Sequence, residues 1–409
     1  MNGNGRVMTN QLALPGHGRH RGAGAGRRGR GVRVAAKVAA ALVSATLFVA
    51  IGYFSYTYHS LDRGLRRVAL SNLGKAPSNA IHDARANGKS QNILVVGDDS
   101  RAGLSAAQIK QLKVGNDATT STDTIMVVHV PADGSKATLI SIPRDSYVDI
   151  PDGWAKNKIN AAYADASGGQ DTPAAQRAGE NLLVETVSDL TGLTINHYIQ
   201  VGFSGFYTIA KAIGGIDVNL CDTVDDTIAH NIAEGAGSVG SGFKMTAGRH
   251  HLTPVQSLEF VRQRHNLPGI GDDLGREQRQ RYFLAQAFHQ ILNLGVLTNP
   301  VKLNHLVAAI KGAFVVDDGF TLQSLAHQMI DLNGNNIVGQ TIPTTGTAMV
   351  QIAENSYASS VVTVDPAQVR SWIQRVLDPP ATASSTAPKP TATRSTAAQP
   401  PKSAARCIH

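Results

Sequence analysis

Twenty residues concentrate the chemistry of this chain: Arg262-Gln-Arg264-His-Asn-Leu-Pro-Gly-Ile-Gly-Asp-Asp-Leu-Gly-Arg276-Glu-Gln-Arg279-Gln280-Arg281. They hold five arginines, although only 17% of the chain is charged. Arg262 and Arg264 follow Leu258-Glu-Phe-Val261, and an i, i+2 spacing puts both guanidinia on one face of a strand or extended segment. Arg276, Arg279 and Gln280 stand at i, i+3 and i+4, which is one face of a helix. Asp272-Asp273 ahead of them supplies a helix start. Two cationic groups joined by a Gly/Pro loop form a clamp for a multiply charged anion. Planar guanidinium pairs phosphate oxygens bidentately, so arginine rather than lysine suits a pyrophosphate. A solvated, arginine-rich helix is the competing reading of these twenty residues taken alone.

The elements ahead of the clamp supply further charges. Asn92–Gly97 is a wholly apolar strand closed by glycine, followed by Asp98-Asp99-Ser-Arg101. Asp123–Val130 and Ala137–Ile142 are two more buried strands, the latter ending in Pro143-Arg144-Asp145. Such runs read as central strands covered on both faces, and open α/β sheets take ligands at carboxyl strand ends. Asp99, Asp123 and Arg144 thus each sit at a strand end, and with the later arginines they predict one convergent site. The remaining spacing predicts helices over 172–190 (Thr172 cap, Pro173 in the first turn) and 203–213 (ending at Gly214-Gly215). Strands are expected at 197–201 and 216–220, an irregular Gly-rich stretch at 228–247, and a helix start at Thr253-Pro254. An amphipathic helix over 278–297 carries Phe283, Leu284, Ala287, Ile291 and Leu294 on its apolar side. Helical patterns at 300–313 and 321–332, a strand at 337–342 and a helix at 366–377 complete the domain.

Charge and hydropathy divide the chain. Residues 1–37 carry eight Arg/Lys and no acids, and the tail from 379 adds four more basic residues and no acids. Removing these from the 38 basic residues leaves 26 against 30 acidic ones in 38–378, a net of −4. The overall +8 therefore does not mark a nucleic-acid-binding domain. Residues 1–37 read as a disordered basic cytoplasmic arm. Residues 38–58 are uncharged and, at ~1.5 Å per helical residue, long enough to cross a bilayer. Tyr53, Phe54, Tyr56 and Tyr58 stand where an interfacial belt would lie, and the preceding arginines predict a cytoplasmic N-terminus and an extracytoplasmic body. The expected organisation is a single-pass cell-membrane protein with a stalk over 59–90, a catalytic domain over 91–378 and a disordered Ala/Thr/Ser/Pro-rich tail over 379–409. Cys221 and Cys407 either pair or are both free, and the fourteen histidines show no zinc spacing.

These motifs, in this order behind an apolar segment, resemble the LytR-CpsA-Psr family of envelope phosphotransferases over about residues 90–378. Asn92-Ile-Leu-Val-Val-Gly-Asp-Asp-Ser-Arg101 is similar to its opening strand and Gly-x-Asp-x-Arg turn. Thr122-Asp-Thr-Ile-Met126, Ser141-Ile-Pro-Arg-Asp145, Lys158-Ile-Asn-Ala-Ala-Tyr163, Arg262-x-Arg264 and Asp273-x-x-Arg276-x-x-Arg279-Gln280 resemble later family blocks. The resemblance implies an α/β fold, a central mixed β-sheet flanked by helices on both sides, with an apolar pocket for a polyprenyl chain in which Phe283, Leu284 and Phe288 are candidate lining. It implies transfer of a glycopolymer from a polyprenyl-pyrophosphate carrier to a wall acceptor such as peptidoglycan. Arg144, Arg262, Arg264, Arg276 and Gln280 would hold the pyrophosphate, and Asp99 and Asp123 would position Mg2+, either of them also serving as proton acceptor. Arg279 shares the clamp face. Ser121 stands where the family usually has Arg, so one phosphate contact is either missing or supplied elsewhere, by Arg101 or Arg281. The same pocket without transfer describes a polyprenyl-phosphate sensor or scaffold, and water in place of the acceptor describes a polyprenyl-pyrophosphate hydrolase.

Overall fold

The computed structural model describes residues 65–78, 90–98, 122–133, 135–170, 172–227, 240–263, 267, 272–293, 314–321, 337–352, 357–378 and 407–408. The chain divides into two compact units, Met1–Tyr56 and Thr57–His409, and every described residue belongs to the second. The apolar segment 38–58, the patterns at 300–313 and 322–332, and Asp99, Arg101, Ser121 and Arg264 lie outside the described residues. Among the described residues no helix is long and apolar enough to cross a membrane.

Seven strands form the central sheet: β1 (Arg66–Val68), β2 (Gln91–Asp98), β3 (Thr122–Val130), β4 (Ala137–Ile142), β7 (His197–Val201), β12 (Phe314–Asp317) and β13 (Ile337–Thr341). Between β4 and β7 come two short strands, β5 (Ser146–Val148) and β6 (Asn157–Lys158); after β7 come β8 (Ile216–Leu220), β9 (Val224–Asp225), β10 (Lys244–Met245) and β11 (Gly248–Leu252). The chain ends in β14 (Gly346–Val350) and β15 (Ser359–Thr363). The central order is β1-β12-β7-β2-β3-β4-β13. Three pairs are parallel (β1/β12, β7/β2, β4/β13) and three antiparallel (β12/β7, β2/β3, β3/β4), so the sheet is mixed.

Both faces are covered, which is why β2 and β3 read as near-continuous apolar runs. Leu94, Val96, Ile125, Val127, Ile140 and Tyr198 enter one core. It is closed by α1 (Ala161–Ser167), α2 (Pro173–Thr191) and a helix at Pro366–Leu377. Val95, Ile199 and Val201, the intervening positions, face a second core. That core is built by α3 (Phe203–Ile213), α4 (Pro254–Arg262) and α5 (Asp272–Asn293), and Pro366–Leu377 becomes α6. Local chemistry sets these helices. Thr172 Oγ1 accepts from Ala175 N at 3.2 Å ahead of Pro173. Thr253 and Gln256 form a reciprocal capping box, and Asp365 caps Ala367 and Gln368. Gly179 lets α2 approach α1, since a Cβ there would lie 2.5 Å from Tyr163 O.

Four sequence expectations are corrected. Arg66–Val68, read as part of a stalk, is the edge strand of the central sheet, because β12 offers it a parallel partner. Arg262, read as extended, ends α4, whose capping box outweighs the i, i+2 pattern. A four-stranded sheet, β14-β15-β5-β6, also joins short mixed-polarity strands from the two ends of the domain, strands that gave no clear period. The tail read as disordered over 379–409 returns to the domain at its end: Cys407 is disulfide-bonded to Cys221. There Ile408 bridges Leu220, with Cys221 N donating to Ile408 O at 2.9 Å and Ile408 N to Asn219 O at 2.8 Å.

Candidate active site

Because β2 runs antiparallel to β3 and β3 to β4, the end of β2, the start of β3 and the end of β4 meet at one edge of the sheet. Asp98, Asp123 and Arg144 are gathered there. The register slips between Gly97, which faces Thr124, and Asp98, which faces Thr122, leaving Asp123 as the extra residue of a bulge. A bulge re-aims its side chain, and Asp123 turns inward to 4% exposure. Gly97 is required at this crossing, because a Cβ would meet Thr124 Cβ at 2.9 Å.

Asp123 Oδ1 accepts a hydrogen bond from Arg144 Nη1 and another from Arg276 Nη2 at 3.1 Å. One turn along α5, Gln280 Oε1 accepts from Thr124 Oγ1, and Arg281 Nη1 donates to Thr341 Oγ1 at the carboxyl end of β13. Thus α5 lies across the edge at which β3, β4 and β13 meet. Lys158 Nζ pairs with Asp145 Oδ1 at 2.9 Å, and Asn160 N donates to Arg144 O at 3.1 Å, anchoring the Arg144 turn. Gln200 Nε2 donates to Asp98 Oδ2 on the neighbouring strand. Arg144, Arg276 and Lys158 thus set three positive charges among Asp98, Asp123 and Asp145.

Of the predicted site residues, the structure therefore brings together Asp123, Arg144, Arg276 and Gln280. Arg262 is half-buried at the carboxyl end of α4. Arg279 has a different setting from the one expected of a pyrophosphate ligand. It is fully buried, donates through Nη1 to Gln263 Oε1, and stacks 4.6 Å from the Phe260 ring centre and 5.4 Å from that of Phe243. Burial pushes its pKa down to about 10, against the pull of Asp226. Of the proposed lipid-pocket residues, Phe283 is buried against Phe206 in the second core and Leu284 packs at its margin; the Phe288 side chain lies outside the described residues. Sequence reasoning did not place Lys158 against Asp145, nor Arg281 on Thr341. Their signal was limited to residue type.

For a divalent cation the chemistry of the donor set is the test. Among the described residues no three His, Cys, Asp or Glu side chains form a ready cage. Mg2+ commonly takes only one or two carboxylates and completes its shell with phosphate oxygens and water. Asp123, a hard-oxygen donor among phosphate-pairing guanidinia, fits that pattern.

The family model described as LytR_cpsA_psr family matches residues 56–369. The chain is 37% identical over 329 residues to "Cell wall biosynthesis protein LcpA" of Corynebacterium glutamicum, covering 76% of this chain and 60% of LcpA. It is 30% identical over 177 residues to "Polyisoprenyl-teichoic acid--peptidoglycan teichoic acid transferase TagU" of Enterococcus faecalis, covering 43% of this chain and 49% of TagU. The chain thus spans about half to three-fifths of the length of these relatives. The crystal structure of B. subtilis TagV superposes with a TM-score of 0.51 at 22% identity, covering 71% of this chain and 98% of TagV, a likeness of fold. The family match takes in the strand-edge carboxylate and every arginine of the clamp, and the chain belongs to the LytR-CpsA-Psr family.

Proposed function

We propose that this protein is a membrane-anchored, extracytoplasmic phosphotransferase that moves a glycopolymer from a polyprenyl-pyrophosphate carrier to peptidoglycan. One observation carries the reading: a buried carboxylate, Asp123, held by two guanidinia from separate elements, Arg144 and Arg276, where the start of β3 meets the end of β4. The names of the relatives, a cell wall biosynthesis protein and a teichoic acid transferase, support the choice of carrier and acceptor. The apolar segment 38–58 supports the anchor.

In this reaction an acceptor hydroxyl oxygen attacks the phosphorus that bears the glycopolymer. The bond from that phosphorus to the bridging oxygen breaks, and the polyprenyl monophosphate leaves with the bridging oxygen and its electron pair. Phosphoryl transfer asks a protein mainly for positioning and charge neutralisation. Arg144 and Arg276 neutralise charge on the diphosphate, with Arg262 and Arg264 extending the clamp and Gln280 orienting it through Thr124. Asp123, with Asp99, would hold Mg2+, which when bound supplies further neutralisation of the diphosphate. Either carboxylate takes the hydroxyl proton.

The test uses the full chain in detergent with a lipid-pyrophosphate-linked sugar donor and peptidoglycan fragments, with and without Mg2+. Arg144→Ala and Arg276→Ala are each expected to lower kcat/KM by about 10²–10³, the usual cost of removing one preorganised charge. Wild-type transfer rates in both variants would refute the site. Donor loss without acceptor labelling in the wild type would identify a hydrolase, and donor binding without loss a sensor.

A further inference from the structure

The loop between β5 and β6 departs from the economy of the surrounding surface. Trp154 is 45% exposed at its tip. Asp152 is the one non-glycine residue with positive φ among the described residues, at 59°, and Gly153 follows at 80°. Trp154 N donates to Pro151 O at 3.3 Å, closing the pattern of a type I′ turn. Asp-Gly is the pair such a turn favours, since Asp tolerates the left-handed region and Gly adopts it freely. Here the tight turn presents an indole to solvent.

The loop is also tied directly to the catalytic edge. β5 starts two residues after Arg144, and β6 ends at Lys158, the partner of Asp145. Ile159 N donates to Ser146 O at 2.8 Å and Asn160 N to Arg144 O at 3.1 Å, so the base of the hairpin and the Arg144 turn form one unit. The strand pairs Tyr147–Lys158 and Val148–Asn157 stand between the Arg144 turn and the loop, so the hairpin carries the indole outward from that turn. The same loop carries exposed groups of both signs, Asp149, Asp152 and Lys156. Lys156 Nζ pairs with Asp149 at 3.9 Å and lies 5.2 Å from the Tyr147 ring centre. An aromatic face with an electron-rich quadrupole, on a loop that also carries the exposed hydroxyl-pairing groups Asp149, Asp152 and Lys156, matches the C–H face and hydroxyl edge of a pyranose. A membrane surface fits poorly, because Asp149 and Asp152 would face anionic headgroups with Lys156 as the loop's lone cation.

The geometry points to Trp154 as a docking platform for the acceptor glycan, engaging a sugar unit beyond the one that bears the attacking hydroxyl. This inference rests on the transferase reading above. It assigns Trp154 a positioning role, setting acceptor affinity while leaving the diphosphate clamp untouched.

The experiment compares full-length wild type, Trp154→Ala and Trp154→Phe. Transfer kinetics are measured with peptidoglycan fragments of increasing length, and intrinsic tryptophan emission is titrated with the same fragments and, separately, with anionic phospholipid vesicles. The other tryptophan, Trp372, packs against the first core and serves as an internal reference. Trp154→Ala is expected to raise the acceptor KM about tenfold for long fragments, the scale of one lost aromatic contact, while donor KM and kcat hold. Single-sugar acceptors should show no change, and Trp154→Phe should restore most of the affinity. Wild-type emission should shift saturably with fragments, and that of Trp154→Phe should not. An unchanged acceptor KM in Trp154→Ala, or a response to vesicles and not to fragments, overturns the platform. If the wild type binds fragments through Trp154 yet transfers nothing, the platform stands and the transferase reading falls. If it transfers with no dependence on Trp154, the platform alone falls.

Discussion

Arg279 and Glu180 are two buried ionisable side chains that differ in how their charge is accommodated. Arg279 meets aromatic faces and the Gln263 amide, whereas Arg276 on the same helix face meets Asp123. The i, i+3 spacing shows that the two share a face of α5, but it is silent on which neighbours each reaches. Glu180, on α2, is buried with Oε2 lacking a hydrogen-bond partner. Burial pushes its carboxyl up from 4.5 to about 7, with Arg66 and Arg177 opposing and Asp98 adding to the rise. A folded-state pKa above the unfolded value means the folded protein keeps a proton that the unfolded chain releases. Its contribution is therefore fully present below pH 4.5 and is lost as pH rises toward about 7. Glu180→Gln, which cannot ionise, is expected to match the wild type near pH 4.5 and to exceed it at pH 8 by up to about 3 kcal/mol. Urea denaturation at the two pH values measures this, and equal stability at pH 8 would show that Glu180 ionises without penalty in the fold.

At the scale of elements, the β2–β3 crossing and α5 together compose the site. The bulge gives Asp123 its inward aim, and α5 delivers Arg276 to Asp123 and Gln280 to Thr124. Gly97→Ala places a Cβ against Thr124, the hydroxyl partner of Gln280. Such overpacking typically costs about 1–3 kcal/mol, and here the displacement passes to both Asp123 and Gln280. The expected outcome is a lower Tm together with a loss of transfer larger than the stability change explains at the assay temperature; retention of full kcat/KM would show that the bulge tolerates the methyl group. The main strands and helices were legible because apolar period, caps and glycine stops are local: 137–142, 197–201, 203–213, 216–220 and 366–377 match the sequence reading residue for residue. The bulge was not, since it exists only in the register between two strands. β1, β5, β6, β14 and β15 were missed for a related reason. At two to five residues, their strand character comes from pairing partners rather than from a pattern of their own.

Across the whole molecule, the second core is fastened by a bond between residues 186 apart. Ile408 is buried in the same cluster as Phe283 and Ala287 of α5 and Leu258 of α4, so the chain's end braces the helices that carry the clamp. A crosslink closing so long a loop removes much unfolded-state entropy, and its loss typically costs about 2–5 kcal/mol. Cys221→Ser should lower Tm, reductant should lower the wild-type Tm to the same value, and reductant should leave the variant unchanged. A variant as stable as the oxidised wild type would show that the β8 pairing holds the end without the bond.

The sequence by itself determined the elements and the kind of chemistry: buried strands ending in carboxylates and arginines, and a helix carrying Arg276 and Gln280 on one face. These follow from periodicity, steric preference and side-chain type, all of which act over a few residues. Tertiary structure decided the meetings: Arg144 with Asp123 across 21 residues, Arg276 with Asp123 across 153, and Cys221 with Cys407 across 186. It also gave Arg276 and Arg279 different neighbours, Asp123 for the first and Gln263 with Phe260 for the second. Such contacts depend on strand register and on the packing of two cores against one sheet, which are properties of the chain as a whole and are absent from any short stretch of it.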